Sequence, residues 1–157
     1  MAARDSSGVR FPPPLIYVVA ILAGSLLQRA WPLSIVPLGT TFLRRSLGWL
    51  AIALWLALMV TALRRFSLAD TSFKPTKPTK AIVAEGPYRF TRNPMYLGFV
   101  FMTLGIALLA NWLWLLLLVP VVMVVIRRTV IDREERYLEM KFGDAYLQYK
   151  ARVRRWL

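Results

Sequence analysis

The 157-residue chain is long enough for one domain, but its 57% hydrophobic content and mean hydropathy of +0.50 are too apolar for most soluble domains of that size. A formal charge of +13, from 21 Lys and Arg against 8 Asp and Glu, reads in so apolar a chain as juxtamembrane anchoring and topology, not nucleic-acid binding. There is no cysteine and no histidine, which excludes disulfides, zinc and iron–sulfur sites, thiol nucleophiles and the commonest general base. Chemistry must run on carboxylates, tyrosines, amides, guanidinium groups and backbone.

A spanning helix takes about 20 apolar residues. The first apolar block, residues 15–27, follows Pro12, Pro13 and Pro14. Trp31 and residues 33–38 can extend it, with Pro32 and Pro37 breaking or bending the path. A cleaved signal sequence is the competing reading, but Ala23 and Gly24 lie inside the apolar run and no cleavage-like segment follows. The second block, residues 47–63, reads as a spanning helix closed by Arg64 and Arg65. The third, residues 95–126, would measure about 48 Å as one helix. It therefore reads as a tight helical hairpin turning at Ala110 and Asn111, with Trp112 and Trp114 at the membrane boundary and Pro120 kinking the second arm.

Basic residues sort by loop. Residues 64–92 hold seven Lys or Arg and residues 127–155 hold nine, together 16 of the 21. A hairpin puts both segments on one side, which the positive-inside rule makes cytoplasmic, and four spans put the amino terminus there too. Arg44 and Arg45, on the other side, count against this. The expectation is an all-α polytopic membrane protein of one integral domain: two spans in residues 1–66, a cytoplasmic strap in 67–94, a hairpin in 95–126, and amphipathic cytoplasmic helices in 127–157.

Within the strap, prolines recur every third residue from Phe73 to Lys80, which forbids helix or central strand and predicts an extended, polyproline-like segment. Next comes Glu85-Gly86-Pro87-Tyr88-Arg89-Phe90-Thr91-Arg92-Asn93-Pro94-Met95-Tyr96-Leu97-Gly98. Gly86-Pro87 and Asn93-Pro94 mark turns, and Pro94 suits the first turn of the following helix. The tail reads as a helix to Phe142, stopped by Gly143, with Asp144 capping a second short helix. At 100° per residue Val130, Ile131, Tyr137, Leu138 and Phe142 share one arc, with Glu134 at its middle and Glu135 at its edge. A carboxylate on an apolar face near a membrane is a functional candidate. The structural alternative is an ion pair with Arg127, Lys141 or an arginine of the strap. Lys150, Arg154, Arg155 and Trp156 read as interfacial anchors.

Together the two motifs, Gly86-Pro87-Tyr88-Arg89-Phe90-x-Arg92-Asn93-Pro94-Met95-Tyr96-x-Gly98 and, after a hairpin, Glu134-Glu135-x-x-Leu138-x-x-x-Phe142-Gly143-x-x-Tyr146-x-x-Tyr149-x-x-Arg152-Val153, resemble the isoprenylcysteine carboxyl methyltransferase and phospholipid methyltransferase superfamily. The likeness runs from about residue 70 to 155. It implies an S-adenosylmethionine-dependent methyltransferase, working in the bilayer without a metal on a lipid-like or membrane-partitioned acceptor. It implies cofactor binding by Tyr88, Asn93, Pro94, Tyr96, Gly98, Glu134, Glu135, Tyr146 and Tyr149, with Arg92, Glu134 and Arg152 as catalytic candidates. Many relatives carry histidine where this chain has Asn93. An amide can hydrogen-bond there but cannot relay a proton near neutral pH. Two other readings stay open: a non-catalytic membrane scaffold or lipid-binding protein, and a reductase of the sterol-reductase type using a nicotinamide cofactor.

Overall fold

The computed structural model describes residues 6–9, 11–36, 41–72 and 78–157. Among the described residues all regular structure is helical: α1 (Pro14–Ala30), α2 (Thr41–Leu68), a 3₁₀ turn (Gly86–Arg89), α3 (Pro94–Ala110), α4 (Leu113–Ile126), a π-helical turn (Arg127–Ile131), α5 (Asp132–Phe142) and α6 (Asp144–Arg152). Residues 37–38 and the centre of the strap, 73–77, lie outside that description. Two helices, Thr41–Leu68 and the continuous Leu113–Phe142, are long and apolar enough to cross a membrane. Only 17% and 33% of their most apolar stretches are buried in the protein, so these are not the buried core helices of a soluble domain. The apolar part of the second ends at Ile126, where the exposed Arg127 and Arg128 begin its polar continuation.

The residues form two compact units, one of Pro13–Ala57 with Tyr96–Ile126 and the other of residues 6–12, Leu58–Met95 and Arg127–Leu157. In the first, helices approach through glycines. A Cβ on Gly24 of α1 would lie 3.1 Å from Leu115 Cβ and 3.2 Å from Leu115 Cα on α4. A Cβ on Gly105 of α3 would lie 2.7 Å from Ile52 Cδ1 and 3.0 Å from the Gly48 carbonyl on α2. Small residues permit such close backbone approach, the usual source of helix association where lipid removes the hydrophobic drive. Tyr17 stacks on Phe99 at 5.1 Å and donates its hydroxyl to the Tyr96 carbonyl at 3.1 Å, tying α1 to α3.

Two sequence expectations are corrected here. The first block does not continue past Ala30: Pro32 ends the helix and forces Trp31 into extended backbone, φ −137° and ψ 90°. Nor is Arg44 a loop charge. α2 begins at Thr41, six residues before the expected start, so Arg44 sits inside the helix and is buried. Its Nη1 donates to the carbonyls of Leu108 and Leu109, two of the last four carbonyls of α3 that have no intrahelical donor.

The end of α3 falls at the expected turn. Asn111 adopts φ 59°, its N–H donates to Leu108 O at 3.3 Å and the Trp112 N–H to Ala107 O at 2.9 Å. That pair of bonds is a Schellman C-cap, and Asn is among the few non-glycine residues that accept the left-handed conformation it requires. The Asn111 side chain then accepts from the Ile35 and Val36 N–H groups at 3.1 and 3.3 Å and donates to Val36 O at 3.1 Å.

Introducing a large side chain at the tightest glycine should separate α2 from α3. Gly105→Leu is expected to cost about 1–3 kcal/mol, the usual penalty of overpacking, and to lower the melting midpoint of the detergent-solubilised protein followed by circular dichroism. A midpoint equal to wild type would show that the close approach is dispensable.

Candidate functional site

The second unit gathers three stretches distant in sequence: the loop before α3, α5, and α6 with the residues after it. The loop turns at Gly86, φ 60°, where a Cβ would lie 2.8 Å from Arg65 Nε. Both the left-handed backbone and the space therefore call for glycine. Arg65 passes this glycine to pair with Glu85 at 2.7 Å. Pro87 follows as an early residue of the 3₁₀ turn and delivers Tyr88 into the interior. Phe66 meets the Tyr88 ring edge-on at 5.5 Å, and the Tyr149 hydroxyl donates to the Tyr88 carbonyl at 2.8 Å. Tyr146, Tyr149 and Val153 form an apolar cluster with Ile82, Leu138 and Phe142.

At the centre lies Glu135, only 4% exposed. Its Oε1 accepts from Arg92 Nη2 at 2.9 Å, Arg92 Nε at 3.3 Å and Arg155 Nε at 3.0 Å. Its Oε2 accepts from Arg155 Nη2 at 2.6 Å, and the same Nη2 lies 3.1 Å from Asp132 Oδ1. Two guanidinium groups thus enclose one carboxylate. Arg92 spends its Nη1 on the carbonyls of Lys150 and Val153, at 2.9 and 2.8 Å. Its backbone N–H donates to Arg154 O at 2.9 Å. Thr91 Oγ1 and Asn93 Nδ2 both donate to Arg155 O at 3.0 Å.

Electrostatics follow from this packing. Burial works against the Glu135 charge, but the hydrogen bonds and charges of Arg155 and Arg92 outweigh it and hold the carboxyl below the ordinary glutamate range. Arg155 is pushed up in return, chiefly by its hydrogen bond to Glu135. Burial raises the phenols of Tyr88 and Tyr146, with the Tyr149 and Glu134 charges adding to the rise at Tyr88 and Glu135 adding to it at Tyr146. Tyr149 is pushed up to about 12, again by burial, with Arg92 opposing.

Of the residues singled out in the sequence, the unit brings together Tyr88, Arg92, Asn93, Pro94, Glu134, Glu135, Tyr146 and Tyr149. Tyr96 and Gly98 belong to α3 within the other unit. Arg152 is exposed, its Nε donating at 3.3 Å to Gln148 O in its own helix. Burial of the acidic pair is the reverse of the helical-wheel reading. Glu135 is enclosed and Glu134 half-buried, because residues 153–155 cover the edge position, and because 100° per residue does not hold through the π-helical turn at Arg127–Ile131. Asp144 is the first residue of α6 rather than its cap; Gly143, φ 51°, takes the cap position. Arg155 is the residue that sequence reasoning missed: among Arg152, Arg154 and Arg155 nothing local distinguishes the one that turns inward.

Helical structure among the described residues, with two apolar helices of bilayer-crossing length, defines the class as a helical membrane protein. A family profile described as phospholipid methyltransferase matches residues 43–145. The chain belongs to this family, within the superfamily that also holds the isoprenylcysteine methyltransferases. The protein-S-isoprenylcysteine O-methyltransferase of Schizosaccharomyces pombe is 33% identical over 110 residues, 69% of this chain and 46% of the yeast protein. The chain therefore spans about half the length of that relative. An uncharacterized protein of Haemophilus influenzae is 48% identical over 63 residues, covering 37% of this chain and all of the Haemophilus protein. No solved structure matches the chain.

The enclosed carboxylate sets an acid limit. With its pKa depressed on folding, Glu135 contributes stability that is complete above the ordinary glutamate value of 4.5 and is lost as pH falls through the depressed value. Glu135→Gln should remove that acid limb and destabilise by about 3–5 kcal/mol at neutral pH, because Arg92 loses its counter-charge and Arg155 keeps only Asp132. Denaturation midpoints recorded from pH 7 down to 3 test this, and an unaltered acid limb in the variant would place the linkage elsewhere.

Proposed function

We propose that this chain is an S-adenosylmethionine-dependent methyltransferase of the membrane, acting on a lipid-like acceptor of the isoprenylcysteine carboxylate or phospholipid amine type. The observation that carries the reading is the family match over residues 43–145, which spans α2 to the start of α6. The assembly of the loop before α3 with α5 and α6 supports it. On this reading α1 to α4 are four spans with the strap and tail on the cytoplasmic face. α1 and α3, at 17 residues each, reach about 26 Å, at the short end of what crosses a bilayer core of about 30 Å.

The side chains suit this cofactor. Its sulfonium and ammonium cations favour carboxylates and aromatic faces, and the cluster offers Tyr88, Tyr146 and Tyr149 together with Glu134, whose charge already bears on Tyr88. When bound, S-adenosylmethionine supplies an electrophilic methyl group for in-line displacement. The chain's own work is to hold that end in place, exclude water and admit the acceptor from the bilayer. Arg92 and Arg155 are engaged by Glu135, so Arg152 is the guanidinium of the set left for the cofactor's carboxylate. The raised phenols are poor bases near neutral pH, leaving Glu134 as the one candidate for proton removal. A carboxylate acceptor arrives ionised and needs no base, which this chemistry favours over an alcohol.

Isothermal titration of the purified protein with S-adenosylmethionine should give saturable binding, and Glu134→Gln should weaken it about tenfold, the loss of one charge-assisted contact. Arg128→Gln, an equal change of charge on an exposed residue, should stay within about twofold. No binding by the wild type would overturn the reading, and equal losses in the two variants would remove Glu134 from the site.

A further inference from the structure

Glu134 and Glu135 are adjacent in sequence, yet they leave the helix in different directions. Successive residues on a helix point about 100° apart, so the two carboxylates cannot face one ligand in the same way. The Glu135 oxygens accept four bonds from two arginines, three on Oε1 and one on Oε2, so this buried carboxylate is already neutralised by guanidinium donors and is poorly placed to serve a ligand cation. Arg92 is similarly committed, to Glu135 and to the carbonyls of Lys150 and Val153. Arg155 joins both halves of the arrangement. Its side chain closes Glu135 and touches Asp132, while its carbonyl receives Thr91 and Asn93. The loop carrying Tyr88 is thereby pinned at Thr91, Arg92 and Asn93 to residues 150–155, and at Tyr88 itself to Tyr149.

We propose that Arg155 is a positioning residue of the cofactor site: through Glu135, Thr91 and Asn93 it fixes the loop that carries Tyr88 against α5, the helix that carries Glu134, before the cofactor binds. Glu135 is the hub of this latch and does not touch the cofactor. The inference rests on the methyltransferase reading above. Pre-organisation of this kind enters affinity directly, because a loop ordered before binding need not be ordered at the cost of binding. A loop released by loss of Arg155 should weaken binding by about tenfold, equivalent to about 1.4 kcal/mol.

The test titrates S-adenosylmethionine and, separately, its thioether product S-adenosylhomocysteine, which keeps the ammonium and carboxylate but lacks the sulfonium charge, into the detergent-solubilised chain. Wild type, Arg155→Lys, Arg155→Met, Thr91→Val, Glu134→Gln and Arg128→Met are compared well below their melting midpoints. Both ligands should weaken together, by about tenfold in Arg155→Met and less in Arg155→Lys and Thr91→Val. Glu134→Gln should weaken the cationic ligand selectively, and Arg128→Met should leave both within about twofold. Arg155→Lys and Thr91→Val retain packing and most of the charge, so they decide the matter if Arg155→Met fails to fold. Their binding should fall while their midpoints stay near wild type, a split that a purely structural role does not produce.

The proposal is overturned if Arg155→Lys and Thr91→Val bind both ligands as wild type does, or if the Arg155 variants lose only the cationic ligand, which would make Arg155 part of the cation's own environment. Wild-type protein that binds neither ligand overturns the methyltransferase reading and this inference with it. Wild-type binding that the Arg155 and Thr91 variants leave unchanged overturns this inference alone.

Discussion

One buried carboxylate organises the polar unit of this protein. Glu135 sits where α5, the loop before α3 and the last residues of the chain meet, and each of its two oxygens is satisfied by guanidinium donors. A buried pair gains little net stability over an apolar substitute, but one partner without the other is expensive. The arrangement is therefore all-or-none: Arg92 and Arg155 tolerate burial because Glu135 is there, and the loop keeps its path because Arg92 and Arg155 are held. Asp132 completes the local balance, two acidic groups against two basic ones.

The apolar unit depends on a different economy. Its helices meet through glycines where side chains are absent, and the turn after α3 is closed by polar groups. Around the end of α3, the Asn111 and Trp112 backbone N–H groups and the Arg44 guanidinium account for carbonyls that a helix leaves bare. Trp114 Nε1 donates to Trp31 O at 2.7 Å and the Leu113 N–H to Leu33 O at 3.1 Å, so the segment after α1 is laced across the same turn. Buried backbone carbonyls left unpaired are costly, and here the sequence supplies donors from α2 and from the turn itself to avoid that cost.

Much of this was legible in the sequence, for identifiable reasons. Apolar length and the asparagine at residue 111 placed the break between α3 and α4, since both are local properties. Gly86-Pro87, Pro94 and Gly143 marked element boundaries through backbone preference alone. What local reasoning could not give was partnership. Arg44 looks like a loop charge until α2 is seen to begin at Thr41, and Arg155 looks like an anchor until the chain folds back on α5. The helical wheel put Glu134 rather than Glu135 at the centre of the buried face because it ranks faces by apolar neighbours on the same helix, whereas Glu135 is covered by arginines from elsewhere. The residues of the motif before α3 were recognisable as a set, but that Arg92 looks inward to hold the tail is a fact of tertiary structure.

The lack of histidine and cysteine, together with the upward shift of the buried tyrosines, has a consequence for pH. Ordinary side-chain titrations leave the chain's composition silent from roughly pH 5 to 9, and Tyr149 at about 12 lies well above that window. No imidazole or thiol in the chain titrates inside that range. In the proposed reaction a carboxylate acceptor, ionised throughout, would give a level profile and an amine a rising one. The protein would thus act as a silent background against which its own substrate class can be read.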